Sequence, residues 1–295
     1  MEHLSGYHDY TLFEVSTKTG EVQFDTYLYL LREYNNNPGA KIILSYDKLA
    51  PSLGIEKMTR EDYRRQITKV LEKLRDKYKL IDLKTPERSQ AAQILLKDIN
   101  DPMKLYTAPS KSLEIPTAYW RYGWNKRLPF SAKVMYLINL AYTSPSSPSW
   151  FMARSTISKK HNISESFISD GTRELRKLNL LAIEYGELEG IRFDERHANV
   201  YTPKPLYDPL KLEESIKDLE AKHGREKIDR ARQSAALVFE ENNLRTIQAL
   251  IDLEEKYGVA LIEEALNKLK DKSPDNPKRS AGYLINSVKS MARNK

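Results

Sequence analysis

Residues 59–96 read TREDYRRQITKVLEKLRDKYKLIDLKTPERSQAAQILL. Thr59 is a helix cap, and the helix it opens runs from residue 60 to about residue 78. Within it Ile67, Val70, Leu71, Leu74 and Tyr78 fall on one side, the side that must be buried. The opposite side carries Arg65, Thr68 and Lys69, with Arg64 on its flank. A strand at residues 80–83, a polar tip at 84–90 and a second strand at 91–96 then make a hairpin.

Upstream, Phe24, Tyr27, Leu28, Leu30 and Leu31 form a helical apolar stripe, and Ile42, Ile43 and Leu44 form a short strand-like run. Ser45 is placed to cap a helix through Leu49, and a turn over residues 54–58 leads to Thr59. Helix, strand, helix-turn-helix and hairpin in that order are the layout of a winged helix, with the polar tip as the wing.

The same order returns with different residues. Residues 132–142 predict a first helix, Trp150 and Phe151 a strand, residues 155–161 a second helix, and Asn162 and Ile163 a turn before Ser164 caps a third. Phe167, Ile168, Gly171, Leu175 and Leu178 share its inner side, where Gly171 permits a neighbouring helix backbone to come close. Ser166, Ser169, Arg173 and Arg176 are expected to project outward. Strands at 181–185 and 197–201 flank a tip that holds Arg192 and Arg196.

The predicted fold class is therefore mainly α with small β-hairpin wings, an α+β chain of two tandem winged-helix domains followed by a C-terminal helical bundle. The expected divisions are a first winged helix over 1–100, a linker over 101–118, a second winged helix over 119–203, a linker over 204–210 and the helical domain over 211–295. The linkers are marked by their prolines. Past Leu210 the chain is nearly pure helix, with an internal repeat at a spacing of 34: Leu219-Glu220, Lys222, Gly224, Ile228 and Ala231 match Leu253-Glu254, Lys256, Gly258, Ile262 and Ala265. Each unit reads as helix, glycine stop, helix, and two units suit a bundle better than a solenoid, with a last helix over 281–291 docked across it.

Composition narrows the chemistry. The 295 residues include 48 basic and 41 acidic side chains, a net charge of +7 that suits a polyanionic partner without requiring one. No cysteine is present, which excludes disulfides, thiolate metal sites and cysteine nucleophiles. The five histidines (His3, His8, His161, His197 and His223) are scattered, with no closely spaced metal-binding pair, and no phosphate-binding G-x-x-x-x-G-K-[ST] loop occurs. No enzyme activity, cofactor or metal site is expected. With neither a leader pattern over residues 1–10 nor an apolar stretch of membrane-spanning length, the sequence predicts a soluble cytoplasmic protein with no membrane partner.

The candidate surfaces point to double-stranded DNA. Arg65 and Lys69 stand one turn apart and can face a major groove while Ile67 and Leu71 stay buried, and Arg65 can fork onto a guanine. Ser166, Ser169, Arg173 and Arg176 offer the equivalent set. Lys84 with Arg88, and Arg192 with Arg196, sit at the wing tips, within reach of a minor groove or the backbone. The rival reading is a salt-bridged solvent face, since Glu61, Asp62, Glu72 and Asp76 lie among the basic residues of the first copy. The run Tyr119-Trp120-Arg121-Tyr122-Gly123-Trp124 either stacks unpaired bases of single-stranded DNA or packs the linker onto the core, and packing is the favoured expectation. The basic terminus, with Lys278, Arg279, Lys289, Arg293 and Lys295, binds DNA or keeps the end soluble.

The tail, with Tyr257-Gly258, Ala265, Asn276-Pro277 and Tyr283-Leu284-Ile285, resembles the C-terminal helical domain of DnaD-like primosomal proteins and of many plasmid and phage replication initiators. Ser287 and Met291 stand where that pattern has an aliphatic residue and a tryptophan. The two units ahead of it are similar to the double winged-helix initiators of plasmids. The resemblance implies replication initiation, with the tail recruiting a replicative helicase, a loader or another copy of the chain. A transcriptional regulator built on the same modules, or a protein-interaction scaffold, is the alternative.

Overall fold

The computed structural model describes residues 20–84, 91–98, 101–108, 113–184, 199–273, 276 and 278–294. The chain is mostly helical with two small antiparallel sheets, an α+β protein. Among the described residues no helix is long and apolar enough to cross a membrane.

The first unit begins with α1 (Glu21–Asn36), which buries Phe24, Tyr27, Leu28 and Leu30. Strand β1 (Ile42–Ser45) turns Ile42 and Leu44 inward and leaves Ile43 exposed, the two-residue alternation of a half-buried strand. Helix α2 (Tyr46–Ser52) follows; Ser45 occupies its cap position but makes no side-chain cap hydrogen bond. Helix α3 (Arg60–Asp76) is capped as the sequence predicts: the Asp62 N–H donates to Thr59 Oγ1 at 3.2 Å. It buries Ile67, Val70, Leu71 and Leu74. Strands β2 (Ile81–Lys84) and β3 (Ala91–Leu96) complete a sheet of order β1-β3-β2, with Ile42 opposite Ile94 and Ile81 opposite Leu96.

Two short helices, α4 (Thr117–Arg121) and α5 (Trp124–Arg127), join this unit to the next. The second unit holds α6 (Phe130–Ala141), β4 (Trp150–Phe151), α7 (Arg154–His161), α8 (Glu165–Lys177), β5 (Leu181–Glu184) and β6 (Val200–Pro203), with sheet order β4-β6-β5. Helix α8 is capped by Ser164, whose Oγ accepts from the Phe167 N–H at 3.2 Å.

The repetition extends to backbone detail. Both α3 and α8 run into a non-glycine residue of left-handed conformation, Lys79 at φ 57° and Asn179 at φ 56°. The next residue, Leu80 or Leu180, is buried and donates its N–H back to the helix, to the Leu74 carbonyl at 2.9 Å or the Leu175 carbonyl at 2.8 Å. Each of these leucines then accepts from the far strand of its hairpin, Lys97 at 2.8 Å and Lys204 at 2.9 Å.

The aromatic run of the linker belongs to the core. Tyr119 and Trp124 are buried, Trp124 Nε1 donates to the Tyr207 carbonyl at 2.9 Å, and Trp120 lies under the Arg32 guanidinium. Buried apolar residues from Phe24 to Tyr201 form one continuous cluster, so the two units share a core. Contacts across their junction include Phe130 edge-on to both Phe24 and Phe167, Asn125 Nδ2 donating to the Ser52 carbonyl at 2.8 Å, and Lys133 paired with Glu21 at 2.7 Å and Asp25 at 2.6 Å.

A separate cluster forms the core of the tail, built from α9 (Pro209–His223), α10 (Arg225–Ala236), α11 (Leu244–Tyr257), α12 (Val259–Lys270) and α13 (Ala281–Arg293). The repeat at spacing 34 is seen as two helix-glycine-helix units. Gly224 at φ 85° and Gly258 at φ 82° each end one helix and start the next, a backbone that side chains rarely adopt. Ile228 and Ile262, and Ala231 and Ala265, are buried in pairs as the repeat requires. Helix α13 docks through Leu284 and Val288. Arg279 donates to the carbonyls of Leu237 at 2.7 Å and Lys272 at 3.0 Å, so it ties the bundle together.

Two buried titratable groups oppose each other. Burial outweighs the attraction of Lys133 and raises the Asp25 carboxyl to about 6. Burial, with a smaller contribution from Lys160, lowers the His161 imidazole to about 4. Folded Asp25 takes up its proton more readily than the unfolded chain, so its contribution to stability grows as pH falls from about 6 toward 3.8. Folded His161 resists protonation, so its contribution is lost as pH falls from 6.5 toward about 4. Each slope is at most about 1.4 kcal/mol per pH unit. Asp25→Asn is therefore expected to melt at steadily lower temperature between pH 6.5 and 4.5, and His161→Gln to hold or gain. Equal slopes in the two variants would refute the assignment.

Candidate nucleic-acid interface

Helix α3 presents its basic residues in two different states. Asp47 on α2 gathers Arg60 Nη2 at 2.7 Å, Tyr63 Oη at 2.7 Å and Arg64 Nη2 at 3.2 Å. Hydrogen bonds from Arg60 and then Tyr63 and Arg64 hold the Asp47 carboxyl well below the usual carboxylate range. This cluster clamps α2 against the first turns of α3. Arg64 is consequently committed to the clamp and half-buried. Arg65 is 61 % exposed and, among the described residues, pairs only with Glu61 one turn earlier, at 3.1 Å. Lys69, one turn on, is exposed and makes no ion pair among the described residues, while Thr68 is half-buried between them. Lys84 is exposed at the end of β2, and Arg88 lies outside the described residues.

On α8, Arg173 is 54 % exposed and bonds Asp170 at 2.6 Å. Ser166 is exposed and shares a hydrogen bond with Ser164 at 3.0 Å. Ser169 is half-buried, and its hydroxyl donates to the Glu165 carbonyl at 2.9 Å. Arg176 departs from expectation. Its guanidinium does not stand free in solvent but lies 3.8 Å over the ring of Phe239, in the loop between α10 and α11. The same loop sends Asn242 Nδ2 to the Lys177 carbonyl at 3.2 Å and Glu240 to Lys204 at 3.4 Å, so the tail is seated on the C-terminal end of α8. Helical periodicity places Arg176 on the outer face correctly; the tail that covers that face comes from residues distant in sequence. Arg192 and Arg196 lie outside the described residues.

Asp47 and Tyr63 were not anticipated as partners. The spacing of Arg60, Tyr63 and Arg64 on one turn was a readable signal, but the carboxylate that collects them lies on the preceding helix. On α7, Lys159 is exposed, and Lys160 lies 5.0 Å over the Tyr142 ring.

The pairs holding Arg65 and Arg173 are surface pairs within one helix, each worth about 0.3–0.5 kcal/mol. Exchange of either carboxylate for a phosphate or a guanine edge therefore costs little. Among the described residues no group of His, Asp and Glu is arranged to hold a metal ion. No family model, curated protein or solved structure matches the chain.

Proposed function

We propose that the chain is a sequence-specific double-stranded DNA-binding protein whose first two units are tandem winged helices, with α3 and α8 as the recognition helices. The observation that carries this reading is the recurrence of one element order, one sheet order and one left-handed helix exit, each time around a capped helix that exposes arginine. Arg65 and Lys69 on α3, and Ser166 and Arg173 on α8, make the groove contacts. Lys84 marks the start of the first wing. Phosphate contacts supply most of the affinity. Arg64 and Arg176 act by holding their recognition helices to the rest of the protein.

The replication role is the reading of the tail. Its two helix-glycine-helix units with a docked last helix support the likeness to replication-initiator C-terminal domains, and in this reading the bundle recruits a helicase, a loader or a second copy of the chain. No catalytic step and no cofactor enter this role.

Fluorescence anisotropy with duplexes selected from a random pool tests it. Affinity is expected to fall steeply as salt rises, and Arg65→Ala with Arg173→Ala to weaken selected duplexes by roughly tenfold or more, at about 1–3 kcal/mol per lost base contact. A chain that binds no duplex at low salt is instead a protein-docking module. Selected sites that map beside promoters rather than origins would favour the transcriptional alternative.

A further inference from the structure

A cleft of about 500 Å³ opens where the tail meets the second unit. Its walls come from α5, the end of α8, the linker at Tyr207, and helices α9 and α10. Arg127 and Arg232 both line it, and neither makes an ion pair or side-chain hydrogen bond among the described residues. Glu241 acts on Arg232 electrostatically without closing such a pair. Arg232 Nε is buried with no acceptor. A buried donor on a charged group is costly when unmet, and proteins seldom leave one so.

A second cleft differs. It lies within the tail and holds Arg230, which is already neutralised by Glu254. At the junction the lining charges are Arg127, Lys217 and Arg232 against Glu213 and Glu220, with Glu241 close enough to act on Arg232 but forming no ion pair with it among the described residues. Leu212, Ile216 and Leu178 supply apolar wall, and the volume falls in the range of small-molecule sites.

We propose that this junction cleft binds a phosphorylated organic anion of mononucleotide size, with its phosphate on Arg127 and Arg232 and its apolar body against Leu212 and Ile216. Planar guanidinium forks suit a phosphate. None of Arg65, Lys69, Ser166 and Arg173 lines the cleft, so the proposal does not depend on the DNA reading.

Isothermal titration calorimetry of the full chain with AMP is the test. Saturable binding is expected, weakened about tenfold or more by Arg232→Met and by Arg127→Met, in line with loss of a charge-assisted hydrogen bond. Arg232→Lys keeps the charge and loses the planar fork, and is expected to bind more weakly than the parent while melting at a similar temperature. Arg65→Ala with Arg173→Ala should leave AMP affinity unchanged. The proposal is overturned if AMP shows no saturable binding, or if only the Arg65 and Arg173 changes weaken it, which would place the nucleotide on the DNA face. Inorganic phosphate binding as tightly as AMP would also overturn it, because the apolar wall would then contribute nothing.

Discussion

Gly171→Val is expected to unfold the second unit, and Gly171→Ala to lower its melting temperature sharply. Helix α8 crosses α6 so closely that a Cβ at Gly171 would lie 2.3 Å from the Ser131 carbonyl oxygen, 2.6 Å from its carbon and 2.8 Å from Met135 Cγ. The first two atoms belong to helix backbone, so relief requires the helices to separate rather than a side chain to swing away. Overpacking of a dense core typically costs about 1–3 kcal/mol, and occasionally more, and the contact here is with backbone. For the alanine variant we expect the upper part of that range, read by calorimetry or chemical denaturation. Separation would also draw Phe167 of α8 away from Phe130 of α6, whose rings meet at 5.7 Å, and on the proposed reading would weaken duplex binding in proportion to unfolding. A Gly171→Ala protein as stable as the parent would mean that the helices cross elsewhere.

That close approach was legible in the sequence. Gly171 is the one inner-face residue of its helix without a side chain, set among Ile168, Leu175 and Leu178, and such a gap is filled by another backbone. The caps at Thr59 and Ser164, the strand over Ala91–Leu96 and the glycine breaks of the tail were equally readable, because each depends on residues within a few positions of one another. What was not readable is what comes together from afar. The Arg176–Phe239 contact, the Asp47 clamp and the shared core of the first two units join residues on different elements, and periodicity reports only which face an element buries. The expectation of separate winged-helix domains over 1–100 and 119–203 carried no hint that a lysine would be buried between them.

That lysine has the second large expected effect. Lys133 lies in the strongly apolar helix FSAKVMYLINLA and is 2 % exposed, with its ammonium on Glu21 and Asp25 of α1. Asp25 is 12 % exposed, so removing the cation strands a buried carboxylate, whereas Glu21 at 45 % can turn to water. Breaking a buried pair by removing one partner costs about 3–5 kcal/mol, and we expect Lys133→Met to lose an amount of that order at neutral pH. The loss should shrink on acidification, since protonation of Asp25 removes the stranded charge. Adding Asp25→Leu to Lys133→Met should restore much of the stability, because an apolar pair of similar volume needs no desolvation of charge. If the double variant is no more stable than Lys133→Met alone, packing rather than charge governs the junction. On that expectation the pair contributes mainly to fixing how the units meet. With that angle fixed, α3 and α8 are held at a set separation, and on the proposed DNA-binding reading a duplex contacted by both would have to present its two half-sites at one spacing. Lys133→Met with Asp25→Leu is expected to retain the fold but lose the charged lock, so on the proposed reading it is the variant in which tolerance to altered half-site spacing should appear.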